Sequence, residues 1–412
     1  MNRSRYMVAL VMLTFFVISF LTNILGSLMP NLRSDFGLSL TMVAFLPFAF
    51  FIAYGVMSIP SGMLVEKYGM KKNMVAAFIV AFIGSVLIAF HPDYATFLLS
   101  LFLIGSGMAM LQVVINPLLR TAGGEEHYAF YSILAQLIFG LASFVSPWVY
   151  SAIVTDTTTT GVAASLRGLA PSNLPWVSMY WIFTIICLAM LVVLVLSRFP
   201  NVELTEEERP GAWKVHLELF RSRTVQLYFL GLICYVGTEQ GVANWISQFL
   251  QTYHGQDPAT TGASSVAYFW GLMTAGGILG LVLVKFMDSR KVLVIFTALA
   301  MACLAAALFG TTGMALVGFP MVGFFASVMY PIVFSLALNS VKEHHGSFSG
   351  ILCTGIAGGA IVPLIIGWLG DHLGLRMGML FLFLTMGYIL SVGIWARPLV
   401  NNQTINLKKE GN

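Results

Sequence analysis

An all-α integral membrane protein of twelve transmembrane helices, arranged as two six-helix halves, is the fold this sequence predicts. Three observations carry the prediction. Of 412 residues, 58% are hydrophobic and only 9% charged, a composition no soluble core can bury. The apolar residues gather in runs of spanning length, about 20 residues each. One long charged stretch divides those runs into six and six.

The runs fall at 7–29, 41–66, 72–90, 95–119, 128–153, 176–197, 224–252, 262–286, 291–309, 313–338, 349–370 and 376–396. In lipid each segment must close its own backbone hydrogen bonds, so these runs are read as helices. No period-two alternation suggests a barrel. The first run lacks a small-residue cleavage site and is expected to stay as helix 1. The charged stretch "RFPNVELTEEERPGAWKVHLELFRS" places a linker at 198–223, between a first bundle at 1–197 and a second at 224–412.

Charge placement sets the expected orientation. With both termini in the cytoplasm, every one of the 21 lysines and arginines except Arg33, Arg167 and Arg376 lies inside, as the positive-inside rule demands. That implies a bacterial-type inner membrane, and the net charge of +4 then reflects topology, with no nucleic-acid partner expected. The four cysteines fall within spans at unpaired spacings, so neither a zinc site nor a disulfide framework is expected. The seven histidines lie in loops or near helix ends, which argues against a mid-membrane histidine relay. There is no nucleophile–base pair, metal cluster or phosphate loop, so no enzyme and no cofactor are expected.

Polar residues inside the spans recur at helical spacing. Ser19, Asn23 and Ser27 share one face of helix 1, Gln112 and Asn116 one face of helix 4, and Ser132 and Gln136 one face of helix 5. On helix 7, Gly237, Gln240, Asn244, Ser247, Gln248 and Gln251 occupy one arc of roughly 100°. Such a stripe suits a wet cavity, although interhelical hydrogen bonds would also use it. Amides and hydroxyls beside the rings of Trp245, Trp270, Tyr268 and Tyr330 match what a sugar presents, hydroxyls and an apolar ring face. No lysine or arginine falls mid-span, so anionic substrates would lack a partner.

Glu239, in "CYVGTEQGVANW", is the one acid in the middle of any span. A carboxylate there costs roughly 2.5–3.5 kcal/mol even on the lenient insertion scale, so it is expected to perform a task. The ideal wheel sets it about 100° from Gln240, beside the polar arc. A carboxylate there could hold sodium or carry a proton.

Motifs narrow the family. "GMLVEKYGMKK" at 62–72 resembles the loop 2–3 signature of the major facilitator superfamily. Gly62, Leu64, Lys67 and Gly69 match; Glu66 stands for the usual Asp, Met70 takes the first basic position, and Lys71 and Lys72 follow. "GLVLVKFMDSRK" at 280–291 is a weaker echo after helix 8. Paired prolines (Pro117 and Pro147, Pro331 and Pro363) around equivalent turns support a duplicated half. "INPLL", "SILAQ", "YVGTE" and the run from Tyr330 to Asp371 are similar to the fucose permease-like sugar symporters, and "YVGTE" looks most like their glucose/galactose branch.

The resemblance implies alternating access, with the 62–72 loop as a cytoplasmic gate, and cation-coupled uptake of a neutral monosaccharide such as glucose or galactose by a monomer. Asn23, Gln112, Asn116, Gln136, Gln240, Asn244, Trp245, Gln248 and Trp270 are the expected substrate residues. The fucose branch carries coupling acids where this chain has Gly26 and Gln112. Their absence leaves Glu239 as the coupling residue and tilts the expectation slightly to sodium. Efflux of neutral or cationic amphiphiles is the alternative, with Glu239 as a counter-charge and a pliable Met/Phe pocket. A sugar sensor would be expected to carry a large output segment, for which the linker and the tail after Ala396 are too short.

Overall fold

A computed structural model describes residues 5–124, 128–156, 160–199, 213–341 and 345–399. Among them every regular element is helical. Eleven helical stretches are long and apolar enough to cross a membrane, and together they match eleven of the twelve expected runs. The twelfth run is α10 (Arg223–His254), a 32-residue helix whose polar stripe lowers its hydropathy.

The first half contains α1 (Arg5–Thr22), α2 (Leu25–Asp35), α3 (Leu40–Tyr68), α4 (Met70–Phe90), α5 (Tyr94–Gly123), α6 (Tyr128–Thr155), the short α7 (Val162–Gly168) and α8 (Ser178–Leu196). Before the second half comes α9 (Trp213–Phe220). The second half then runs through α10, α11 (Ala263–Phe286), α12 (Ser289–Phe309), α13 (Thr312–Ala326), α14 (Met329–Leu338), α15 (His345–Thr354), α16 (Gly358–Leu373), α17 (Leu375–Met379) and α18 (Phe381–Trp395). Residues 200–212 of the expected linker lie outside the described residues.

Helix starts follow local chemistry. Ser39, Asp93, Asp288 and Thr311 sit just before α3, α5, α12 and α13, and each accepts a first-turn amide, from Met42 (3.2 Å), Thr96 (3.0 Å), Arg290 (2.8 Å) and Met314 (3.4 Å). The Thr96 hydroxyl and amide also hold the Asp93 carboxyl below the usual carboxylate range.

Four expected single helices are interrupted, the twelfth by a turn at Leu380 between α17 and α18. The first breaks at Asn23–Ile24 and then continues to Asp35, past the expected end at 29. The tenth breaks at Ser327–Val328, where Pro331 supplies no amide for the Ser327 carbonyl. The eleventh passes through a 3₁₀ turn at Gly355–Ala357, one turn before Pro363. Discontinuous helices of this kind are tolerated in a membrane where they line a cavity or are buried in protein.

Small residues let the helices meet. Lipid supplies no hydrophobic drive between helices, so close backbone approach matters. Gly107 packs so near the Ala77 carbonyl oxygen that a β-carbon would stand 2.5 Å from it. In the first half an aromatic cluster fills the space around Trp176, whose ring stacks on Phe97 at 5.6 Å and meets Tyr180 edge-on at 6.2 Å.

The two halves meet unevenly. One face carries the termini: Tyr6 Oη lies 2.6 Å from Ser197 Oγ, and the Leu399 amide donates to the Asn339 carbonyl at 2.7 Å. At the opposite face α2 packs on α10 and on the π-helical turn Pro258–Gly262, while α3 packs along α16 and α6 along α11. Among the described residues neither α5 nor α14 packs along the other half. The halves are therefore joined most extensively at the face opposite the termini, while α3 also packs on the 3₁₀ turn Gly355–Ala357 and on α15 further along its length.

Candidate functional site

Glu239 lies near the middle of α10, half-buried, with both oxygens engaged. Tyr235, one turn earlier, donates its hydroxyl to Oε2 at 2.6 Å, and Gln240 donates Nε2 to Oε1 at 3.1 Å. The Tyr235 ring lies 5.6 Å from that of Tyr330 on α14, which stacks on Phe334 at 5.6 Å. The Tyr235–Glu239 spacing of one helical turn is what brings these side chains together. Tyr235 could have been singled out from "YVGTE" on that spacing.

Gln240 also sits where the halves meet. A β-carbon at Gly359 of α16 would come within 3.0 Å of the Phe51 ring on α3 and 3.1 Å of Gln240 Cγ. The wheel had set Glu239 apart from the polar arc, yet the Gln240 amide links the two directly.

Closer to the opposite face, the buried polar atoms without a hydrogen-bond partner among the described residues include Ser27 Oγ, Asn244 Nδ2, Ser247 Oγ, Gln248 Oε1 and Trp270 Nε1. They belong to α2, α10 and α11, three helices that pack on one another in every pairing. Each lies about one to three turns, at 1.5 Å per residue, from the end of its helix at that face. Unpartnered buried polar atoms cost roughly 1–3 kcal/mol apiece, so a set of them at one depth suits a ligand rich in donors and acceptors.

Other expected substrate residues are already occupied. Asn23 donates to Ser143 Oγ at 2.8 Å, and Ser19 Oγ lies 2.5 Å from the same hydroxyl. That face of α1 ties it to α6. Trp245 is fully enclosed and its indole donates to the Pro363 carbonyl at 3.3 Å, so the ring packs between α10 and α16. Gln248 Nε2 binds Thr252 Oγ1 at 3.0 Å, leaving only its carbonyl oxygen unpaired. Gln112 is half-buried and Gln136 exposed on α6, while the Asn116 side chain lies outside the described residues.

At the terminal face, Gly69 closes α3 and Lys71 reaches across to α8. Its ammonium donates to the carbonyls of Ser197 at 2.7 Å and Val195 at 3.0 Å. Lys67 and Lys72 are exposed, Gly62 is buried, and the Glu66 side chain lies outside the described residues. In the echo loop, Arg290 grips Asp288 at 2.7 Å, and this hydrogen bond holds the Asp288 carboxyl below its usual range. Lys71 pins the end of a helix far from Glu239. Lys71→Ala is therefore expected to slow turnover about threefold while leaving substrate affinity within about twofold, because only a terminal charge-assisted contact is lost. Initial-rate and binding measurements on the same preparation check this.

The Major Facilitator Superfamily model matches residues 11–363. The chain belongs to this superfamily. It is 32% identical over 415 residues to the glucose/galactose transporter of Brucella abortus biovar 1 (strain 9-941), covering 95% of each chain. It is 24% identical to the L-fucose-proton symporter of Escherichia coli (strain K12), covering 89% of this chain and 87% of that one. Among solved structures it superposes on the superfamily transporter FucP in the outward conformation with a TM-score of 0.68, at 22% identity over 96% of this chain and 100% of the other. A bacterial homologue of the lysosomal transporter Spinster, inward-facing and unoccupied, superposes with a TM-score of 0.76 at 14% identity, over 94% of this chain and 96% of that one. The protein is thus a multi-pass membrane transporter with the major facilitator fold.

Proposed function

We propose that this transporter carries a neutral monosaccharide of the glucose/galactose type together with a cation, by rocking its halves about a midplane site. The observation that carries the reading is Glu239. It is the one acid in the middle of a span, held by two donors and linked through Gln240 to a helix whose outer turns bear unpartnered amide and hydroxyl atoms. A sugar hydroxyl both donates and accepts, so it can satisfy Asn244 Nδ2, Gln248 Oε1 and Ser27 Oγ alike. The names borne by the Brucella and E. coli relatives point the same way.

The distribution of lysine and arginine supports termini that lie in the cytoplasm of a bacterial-type inner membrane, and the chain is taken to work there as a monomer. The face where the halves are joined is then the external one. The sodium preference rests on the two missing acids alone; the donors on Glu239 suit a carboxylate that takes up either ion. Efflux of amphiphiles has no specific observation in its favour.

Uptake into proteoliposomes of a monosaccharide panel, under an imposed sodium gradient and separately under a pH gradient, tests the proposal. Accumulation of glucose or galactose under one gradient is expected. Failure of every sugar under both gradients would overturn it. Within the site, Asn244→Ala is expected to weaken sugar binding by about tenfold or more, since a bound hydroxyl loses its donor. Trp245→Phe should leave binding within about twofold, because the ring is held in helix packing. Calorimetric titration of both variants decides between a site on this face of α10 and one elsewhere.

A further inference from the structure

The turn between α16 and α17 repeats the pattern of the turn between α3 and α4, at the other face of the protein. Gly62-x-Leu64-x-Glu66-x-x-Gly69-x-Lys71 has its counterpart in Gly367-x-Leu369-x-Asp371-x-x-Gly374-x-Arg376. The backbones agree as well. Gly69 has φ 84° and ψ 161°, Gly374 has φ 87° and ψ 149°, and each glycine ends one helix and starts the next. This left-handed conformation explains the glycine in both turns. The basic residue in each holds the end of a helix in its own half: Lys71 on the last carbonyls of α8, and Arg376 with its guanidinium 4.5 Å from the Tyr253 ring near the end of α10.

The acid of the second turn crosses between the halves. Asp371 Oδ1 accepts the Leu40 amide at 2.8 Å, and Oδ2 accepts the Thr41 amide at 2.8 Å and the Thr41 hydroxyl at 2.5 Å. These are the first two amides of α3, which have no partner within their own helix. A carboxylate at a helix N-terminus also gains from the helix dipole. Gly367 and Gly370 make the approach possible. A β-carbon at Gly367 would stand 2.7 Å from the Leu40 carbonyl oxygen, and one at Gly370 would stand 2.8 Å from Leu40 Cδ1. On its other side the turn is anchored to α10, since the Arg376 amide donates to Tyr253 Oη at 3.0 Å.

We propose that Asp371 is a positioning residue of the transport cycle: its carboxylate latches the N-terminus of α3 to the α16–α17 turn and holds the face opposite the termini closed. Separation of α3 from α16 at this face must break three hydrogen bonds to one carboxylate. The same turn grips α10 through Tyr253, so release at α3 is coupled to movement of the helix that carries Glu239. The latch depends on the two-half architecture and not on the identity of the substrate.

Spin labels at Ser34→Cys on α2 and Thr261→Cys on the π-helical turn, in the full chain with native cysteines replaced, report the separation of the halves at this face. Pulsed dipolar spectroscopy is expected to show mainly the short distance with Asp371 intact. In Asp371→Ala the long-distance population should rise at least about fivefold, as charge-assisted hydrogen bonds are lost. Asp371→Asn keeps an accepting oxygen and should fall between the two. Thr41→Val removes only the hydroxyl and should shift the same way by less, so it decides the matter should Asp371→Ala fail to fold. A merely structural role would not move the distance distribution of the folded protein in this graded order. An unchanged distribution in Thr41→Val and Asp371→Asn would overturn the latch.

Discussion

Glu239→Gln is expected to abolish accumulation of sugar while leaving its exchange intact. Glutamine keeps the length of the side chain: its carbonyl oxygen can still accept from Gln240 and its amide can donate to the Tyr235 hydroxyl, where the native carboxylate accepts from them at 3.1 Å and 2.6 Å. What it loses is the charge that a cation must neutralise. A ligand shifts a conformational equilibrium only through differential affinity for its states, so without that charge the cation has no grip on the cycle. One cation moving with the sugar across 100 mV supplies about 2.3 kcal/mol, enough for roughly 40-fold accumulation. The variant should fall to about onefold, the value for equilibration down a gradient. Counterflow against gradient-driven uptake in the same vesicles is the comparison to make. Sugar affinity should at the same time lose its dependence on sodium or on pH, whichever ion drives wild-type uptake. Concentrative uptake at the wild-type level would remove Glu239 from the mechanism, and uniformly low activity in both assays would mark a structural role.

Gly26→Val should stop transport for a steric reason. A β-carbon at Gly26 would collide with the Ala243 carbonyl oxygen and stand 3.3 Å from Asn244 Cα, so α2 and α10 could no longer meet. Overpacking of this kind costs roughly 1–3 kcal/mol, and here the cost falls on the closed state alone. The population of that state should drop about 5- to 150-fold, with turnover limited accordingly. Uptake is expected to fall at least about fivefold while the folded protein still binds sugar. Gly55→Ala is the control: its new carbon would lie 3.4 Å from Ala357 Cβ, an ordinary contact, and uptake should remain near wild type. Normal uptake by Gly26→Val would show that closure at this face does not need the α2–α10 contact.

The same collision explains the departure from the fucose-branch pattern at this position. A carboxylate cannot occupy residue 26 because the residue packs on backbone. From sequence the change reads as a lost acid; from structure it reads as a close helix crossing.

Which residues share a helix face was legible in advance, and what was not has a common reason for being hidden. The helical spacing that grouped Ser19, Asn23 and Ser27 was correct as geometry, yet Ser19 and Asn23 are consumed by Ser143 and Ser27 is left unpartnered. A wheel shows which residues share a face. It does not show which helix that face meets. Trp245 shares α10 with Asn244, but its indole is spent on Pro363. Asp371, which closes the run similar to the sugar symporters, caps a helix of the other half. The repeated Gly-x-Leu-x-acid pattern was the signal that could have found it.

The amino-acid sequence by itself determined where the long helices run, which stretch separates the halves, and that Glu239 is the one carboxylate committed to mid-membrane. Each of these follows from a local cost: the hydropathy of a segment, or the price of a charge in hydrocarbon. Tertiary structure alone decided which polar atoms are paired and which are left without a partner, why residue 26 has no side chain, and which face of the protein is most extensively joined. Those outcomes depend on contacts between helices distant in the chain, whose partners are set by backbone approach at small residues and not by any property of one helix.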